Sequence, residues 1–240
     1  MNLSVTIPDL PARIDHTILK PDTTEADVRR VCEEALQYGF TVVFVPPCFL
    51  PEAMAVLAGT AVRVGIPIGF PLGSESTAIK VAQAVAAQQG GARELDMVLN
   101  IGRLKSGEID AAREDLAAVV RATPGVGHKV ILETCCLTRE EKLLACRLAI
   151  EAGMDFVKTS TGFAAAGATV EDVRLMRDAV AGRTKVKASG GIRDLATTLA
   201  MIEAGADRVG TSAGVQIIQE WRAGRVAPAT PVVAPGHHAY

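Results

Sequence analysis

Four glycines set the rhythm of this chain. Gly39, Gly91, Gly153 and Gly205 each close an alanine- and leucine-rich run and precede a β-branched one. Their separations are 52, 62 and 52 residues. Glycine is favoured just past a helix end, where the backbone often takes a positive φ. With two strand–helix units in each interval, a unit is roughly 26 to 31 residues, and eight of them approach the ~250 residues of an eightfold barrel. The spacing therefore predicts an α/β fold, a (β/α)8 TIM barrel in a single domain.

Local patterns place the elements. Strands are expected at Arg13 to Thr17, Thr41 to Val45, Val64 to Phe70, Glu94 to Leu99, Val130 to Glu133, Asp155 to Lys158, Lys185 to Ala188 and Arg208 to Gly210. Helices are expected between them, among others at Glu25 to Gln37, Thr77 to Gln89 and Glu140 to Glu151. The competing architecture is an open doubly wound sheet, which wants a glycine-rich loop after its first strand. Here that loop reads His16-Thr17-Ile18-Leu19-Lys20-Pro21, without a glycine. The barrel is assigned to residues 1–221. Residues 222–240, rich in alanine, proline and valine, read as a flexible tail.

Composition excludes several function classes. The net charge of −2 and the absence of a long basic run argue against nucleic acid or an anionic membrane as partner. No apolar run approaches the ~18 residues of a membrane span. The N-terminus shows no basic stretch followed by an apolar one, so no secretory signal is expected. Five cysteines, an odd number without a CxxC pair, fit a reduced cytoplasmic compartment.

The chemistry concentrates at predicted strand ends, where barrels carry their active sites. Lys158 ends the sixth strand and is followed by Thr159, Ser160, Thr161, Gly162 and Phe163. Lys187 ends the seventh, and Asp96 lies on the fourth. Lysine is rarely buried. Two ammonium groups on neighbouring strands repel, which lowers one pKa and makes a nucleophilic amine available. Such an amine forms a Schiff base with a carbonyl substrate. A purely structural ion cluster of Asp96, Lys158 and Lys187 is the alternative.

The loops after strands seven and eight suggest a phosphate site. They carry Gly190, Gly191 and Arg193, then Gly210 and Ser212. Glycines let backbone amides approach an anion closely. Arg193 either pairs with phosphate or simply opens the next helix beside Asp194. Asp15, His16 and Thr17 near the first strand end are ambiguous. Cys135 and Cys136 read as small side chains without a partnering histidine. No cluster has metal-ligand spacing, and no cofactor is expected.

These stretches together resemble the deoxyribose-phosphate aldolase family of class I aldolases. The resemblance rests on Ile14-Asp15-His16-Thr17, Gly69-Phe70-Pro71-Leu72-Gly73, Glu94 to Gly102, Ile131 to Cys135, Val157 to Phe163, Lys187 to Arg193 and Gly210-Thr211-Ser212, in order over residues 14 to 221. It implies reversible cleavage of 2-deoxy-D-ribose 5-phosphate to D-glyceraldehyde 3-phosphate and acetaldehyde. It implies Lys158 as the Schiff-base lysine, Lys187 as the assisting lysine and Asp96 as the proton relay. Asp15, Thr17, Thr159 and Gly162 match substrate positions, and Gly190, Gly191, Arg193, Gly210 and Ser212 match the phosphate loops. No metal is implied, and a homo-oligomer is. Two stretches depart from the family. Relatives often carry Cys-Val-Asn-Pro at the end of strand two, where this chain has Phe44-Val45-Pro46-Pro47 and then Cys48. Some end in a tyrosine that folds over the site; Tyr240 is terminal here, but the residues before it do not match. Rival readings are a transaldolase-like Schiff-base barrel for another sugar phosphate, and a non-catalytic sugar-phosphate sensor.

Overall fold

Eight parallel strands close on themselves in the order of the sequence. The computed structural model describes residues 7–224. The strands are β1 Ile14–Thr17, β2 Val42–Phe44, β3 Arg63–Ile68, β4 Glu94–Val98, β5 Gly127–Ile131, β6 Phe156–Lys158, β7 Lys185–Ser189 and β8 Arg208–Thr211. The helices are α1 Glu25–Tyr38, α2 Leu50–Val56, α3 Thr77–Gln89, α4 Ile101–Lys105, α5 Ile109–Ala122, α6 Arg139–Glu151, α7 Val170–Val180, α8 Leu195–Glu203 and α9 Gly214–Arg222. The tail from residue 225, including Tyr240, lies outside the described residues.

The glycine rhythm has its expected cause. Gly39, Gly91, Gly153 and Gly205 all sit at positive φ, between 81° and 112°. The longer middle interval accommodates α4, an extra short helix between β4 and α5. Helix starts are set by local chemistry. Thr24 and Asp27 form a capping box on α1, and Thr138 and Glu141 form one on α6, satisfying amides that the helix itself leaves unpaired.

Alternation along each strand divides two environments. Ile14, Val43, Ile66, Leu95, Val130, Val157, Val186 and Val209 pack in one apolar cluster with Val31, Ala84, Leu116, Leu148, Met176 and Ile217 of the surrounding helices. This shell holds the fold together; full burial of each large aliphatic side chain contributes about 1.5–3 kcal/mol. The intervening residues Asp15, Phe44, Asp96, Lys129, Lys158, Lys187 and Arg208 face the barrel interior. Parallel pairing puts Lys158 directly against Lys187, Asp96 against Lys129, and Lys187 against Arg208.

One strand differs from expectation in a consequential way. β5 runs over Gly127–Ile131 instead of starting at Val130. Lys129 is therefore an interior residue of the barrel. Glu133 stands beyond the strand, at φ 54°.

Candidate active site

The barrel interior is a layer of buried charge. Asp96 lies at its centre. Its Oδ2 accepts from Lys158 Nζ at 2.7 Å and from Lys187 Nζ at 2.7 Å. Its Oδ1 is 3.1 Å from Lys129 Nζ. Lys187 Nζ also reaches Asp15 Oδ2 at 2.5 Å. Lys129 pairs with Glu94, and Arg208 bridges Asp15 and Glu94. Four buried or nearly buried cations thus face three carboxylates. Arg63 also touches Glu94, but its side chain is half exposed.

That balance sets the proton affinities. Burial pushes the Asp96 carboxyl up, but Lys129, Lys158 and Lys187 outweigh it and hold it well below the usual range. Asp15 is lowered in the same way: burial raises it, and Lys187, Arg208 and Lys129 overcome that. Burial lowers Lys187, and Lys158 and Lys129 lower it further against the pull of Asp15 and Asp96, leaving it at about 8. Lys129 stays above its ordinary value because Asp96, Asp15 and Glu94 outweigh its burial. A layer with more cations than carboxylates is one in which an amine gives up its proton readily.

A cavity of about 610 Å³ opens over this layer at the C-terminal ends of the strands. Lys158 is on its wall. So are Thr17, Gly162, Gly190, Gly191, Arg193, Gly210 and Ser212. Arg193 and Ser212 are exposed to it. Gly190 sits at φ 87°, and a Cβ there would meet Gly167 Cα at 3.0 Å and Ser160 Cβ at 3.2 Å. Thr211 Oγ1 donates to Ile192 O and accepts from Ala213 N, tying the loop after β8 to the loop after β7.

Two expected substrate contacts occupy other places. Asp15 is fully buried among cations and does not line the cavity. Thr159 is buried as well. Its hydroxyl donates to Ser189 O and accepts from Ser189 N, stitching β6 to β7. Both support the layer that carries the lysines. His16 faces outward to α1, where its Nε2 meets Glu34 Oε2 at 2.7 Å. Cys135 and Cys136 are free thiols on exposed residues, and partial desolvation of the Cys136 sulfur, with Cys135 beside it, pushes that thiol up to about 11.

Sequence reasoning passed over Lys129, Glu94, Arg208, Glu133 and Lys20. Lys129 was hidden by the late strand start, between His128 and Val130. Glu94 and Arg208 stand at strand starts, where exposure is the ordinary expectation. Glu133 accepts from Thr161 N through both oxygens and from the Thr161 hydroxyl, fixing the loop after Lys158. Burial raises its carboxyl above the usual value, against the bonds from Thr161. Lys20 adds a further cation to a cavity wall that also carries Arg30, Lys158 and Arg193. Among the described residues, no three His, Cys, Asp or Glu side chains group as a metal site.

Residues 12–220 match the DeoC/LacD family of aldolases. A deoxyribose-phosphate aldolase from Caldanaerobacter subterraneus subsp. tengcongensis is 54% identical over 212 residues, which are 87% of this chain and 92% of that protein. The chain belongs to the DeoC/LacD aldolase family. The solved structure of QR15, an aldolase, is similar with a TM-score of 0.86 and 46% identity, covering 90% of this chain and 96% of that one. A tetrameric deoxyribose phosphate aldolase from Aeropyrum pernix is similar with a TM-score of 0.84 and 33% identity over 89% of this chain and 91% of that one. This DeoC/LacD aldolase has no helix among its described residues long and apolar enough to cross a membrane.

Proposed function

We propose that this protein is a class I aldolase that reversibly cleaves 2-deoxy-D-ribose 5-phosphate into D-glyceraldehyde 3-phosphate and acetaldehyde. The observation that carries the reading is the position of Lys158. Its amine is on the cavity wall, and it shares one carboxylate oxygen with a second lysine whose pKa is about 8.

The reaction follows from that arrangement. Lys187 is the group that loses a proton easily. A proton passed from Lys158 to Lys187 across Asp96 Oδ2 leaves Lys158 as a free amine. The amine attacks the C1 aldehyde of the open-chain sugar; Lys187 returns its proton to the carbinolamine hydroxyl, which leaves as water to give an iminium and a neutral Lys187. The C3 hydroxyl gives up its proton to the Asp96–Lys187 relay. The C2–C3 bond breaks, its electron pair moves toward the iminium nitrogen, and D-glyceraldehyde 3-phosphate leaves. The remaining enamine takes a proton at C2. Water then hydrolyses the iminium, releasing acetaldehyde and restoring Lys158. The iminium nitrogen is the electron sink throughout.

Gly190, Gly191, Gly210, Ser212 and Arg193 take the 5-phosphate in this reading. Backbone amides, a hydroxyl and a guanidinium on two tied loops suit a dianion. Thr17 and Gly162 border the hydroxyl-bearing carbons. The tetrameric relative and the family's resemblance support a homo-oligomer, and the five free cysteines suit the cytoplasm. The test is turnover of 2-deoxy-D-ribose 5-phosphate followed by acetaldehyde release. Activity in the wild type and its loss in Lys158→Ala supports the reading; phosphate-sugar binding without turnover makes the protein a sensor instead.

A further inference from the structure

The second strand carries an aromatic ring into the charged layer. Phe44 is 1% exposed. Its ring centroid is 4.0 Å from Lys187 Nζ, 4.8 Å from Lys129 Nζ and 5.8 Å from Lys158 Nζ. Gly65, its registered partner on β3, makes this seat. A Cβ at residue 65 would fall inside van der Waals contact of three carbons of the ring. The ring thus fills the space that a side chain on β3 would otherwise take. It does not line the substrate cavity.

The charged groups that act on Lys187 Nζ come from four other strands. Asp15 comes from β1, Asp96 from β4, Lys129 from β5 and Lys158 from β6. Arg208 on β8 and Glu94 on β4 complete the layer through Asp15 and Lys129. Among the ion-paired groups of this layer three carboxylates meet four cations, and the buried Glu133 beyond β5 acts on Lys158 but not on Lys187. The face of an aromatic ring carries negative potential and attracts a cation within about 6 Å. The ring needs no proton and brings no net charge, so it attracts the ammonium groups while quenching the surplus that frees an amine less than a fourth carboxylate would.

We propose that Phe44 is a positioning residue of the amine site, whose ring face holds the Lys187 ammonium against Asp15 and Asp96 in the place a fourth carboxylate would fill. The role rests on the aldolase reading for its catalytic meaning. Its effect on Lys187 is a property of the layer itself and is measurable without substrate. An aliphatic residue of similar bulk would exclude water equally well but would not attract the cation.

The test replaces Phe44 with a series of phenylalanines carrying one, two and three ring fluorines. Fluorine withdraws the negative potential from the ring face and leaves the shape nearly unchanged. The Lys187 titration midpoint is followed by NMR on protein labelled at the lysine ε-carbons, assigned by its loss in Lys187→Met. The expected result is a stepwise fall with each fluorine, reaching about half a unit to one unit in the trifluoro protein. Phe44→Leu is expected to lower the midpoint as well. A midpoint that stays fixed across the fluorinated series, in protein with wild-type circular dichroism, overturns the proposal and leaves Phe44 as packing. Wild-type turnover of 2-deoxy-D-ribose 5-phosphate, measured alongside, separates the two readings: its absence sinks the aldolase assignment and does not move the lysine midpoint.

Discussion

Lys158 and Lys187 donate to the same oxygen, Asp96 Oδ2, each at 2.7 Å. They are registered partners on adjacent strands, and their Nζ atoms converge on one lone-pair region. The arrangement makes the two amines a unit. A proton leaving one is a single transfer from the other, and the carboxylate between them remains ionised because three lysines hold it so.

The pH dependence follows from Lys187. Its value in the fold is about 8, below the ordinary 10.5. Below about 8 the site holds one proton too many for attack by a free amine, so kcat/KM should rise tenfold per unit and level off above that value. Stability should move in the same direction. Between about 8 and 10.5 the unfolded chain binds the Lys187 proton and the folded protein does not. The wild type should therefore gain stability relative to Lys187→Met as pH rises through that window. Rate profiles and urea melts from pH 7 to 10 check both.

Removing Asp96 should cost far more stability than removing a lysine. Asp96→Asn leaves Lys129, Lys158 and Lys187 without their shared counter-ion, a loss of about 3–5 kcal/mol at neutral pH. The loss should shrink at pH 9.5, where a lysine deprotonates. In the wild type the folded carboxyl is lowered, so its contribution is present above the ordinary 3.8 and disappears as pH falls through the folded value. Urea denaturation of both proteins at several pH values measures this.

Lys158→Met should separate activity from stability. The substitution leaves three cations and three carboxylates in the layer. Cleavage should fall by on the order of 10³-fold or more, and the melting temperature should stay level or rise. A large drop in stability would mean that the lysine surplus is not real.

The phosphate loops should show themselves through substrate choice. Arg193→Ala is expected to raise KM for 2-deoxy-D-ribose 5-phosphate by about tenfold, the size of a lost charge-assisted contact. KM for unphosphorylated 2-deoxyribose should not change. Steady-state kinetics with the two sugars decides it.

The fold was legible because its signals are periodic. Gly39, Gly91, Gly153 and Gly205 mark turns that need positive φ, and apolar residues alternate along each strand. Lys158, Lys187 and Asp96 were legible because lysines and an aspartate inside apolar runs have few other uses. The partners of that trio were not. Lys129 fell before an expected strand start, and Glu94 and Arg208 stand at strand beginnings, where a charge usually meets water. Only closure of the barrel shows that Arg208 meets Glu94 across 114 residues of chain. Asp15 and Thr159 carry the right motifs and lie buried, Asp15 paired with Lys187 and Arg208 and Thr159 bonded to Ser189. The consequence of Phe44 was hidden too, since it depends on the absent side chain of Gly65 on the neighbouring strand.

The most direct test of the central claim is covalent. The protein is incubated with acetaldehyde, reduced with borohydride and digested, and the modified peptide is located by mass spectrometry. A reduced two-carbon adduct on Lys158, reduced in yield by Asp96→Asn and absent from Lys158→Ala, is the predicted result. Folded protein that yields no adduct, or carries it only on another lysine, would contradict Lys158 as the Schiff-base residue.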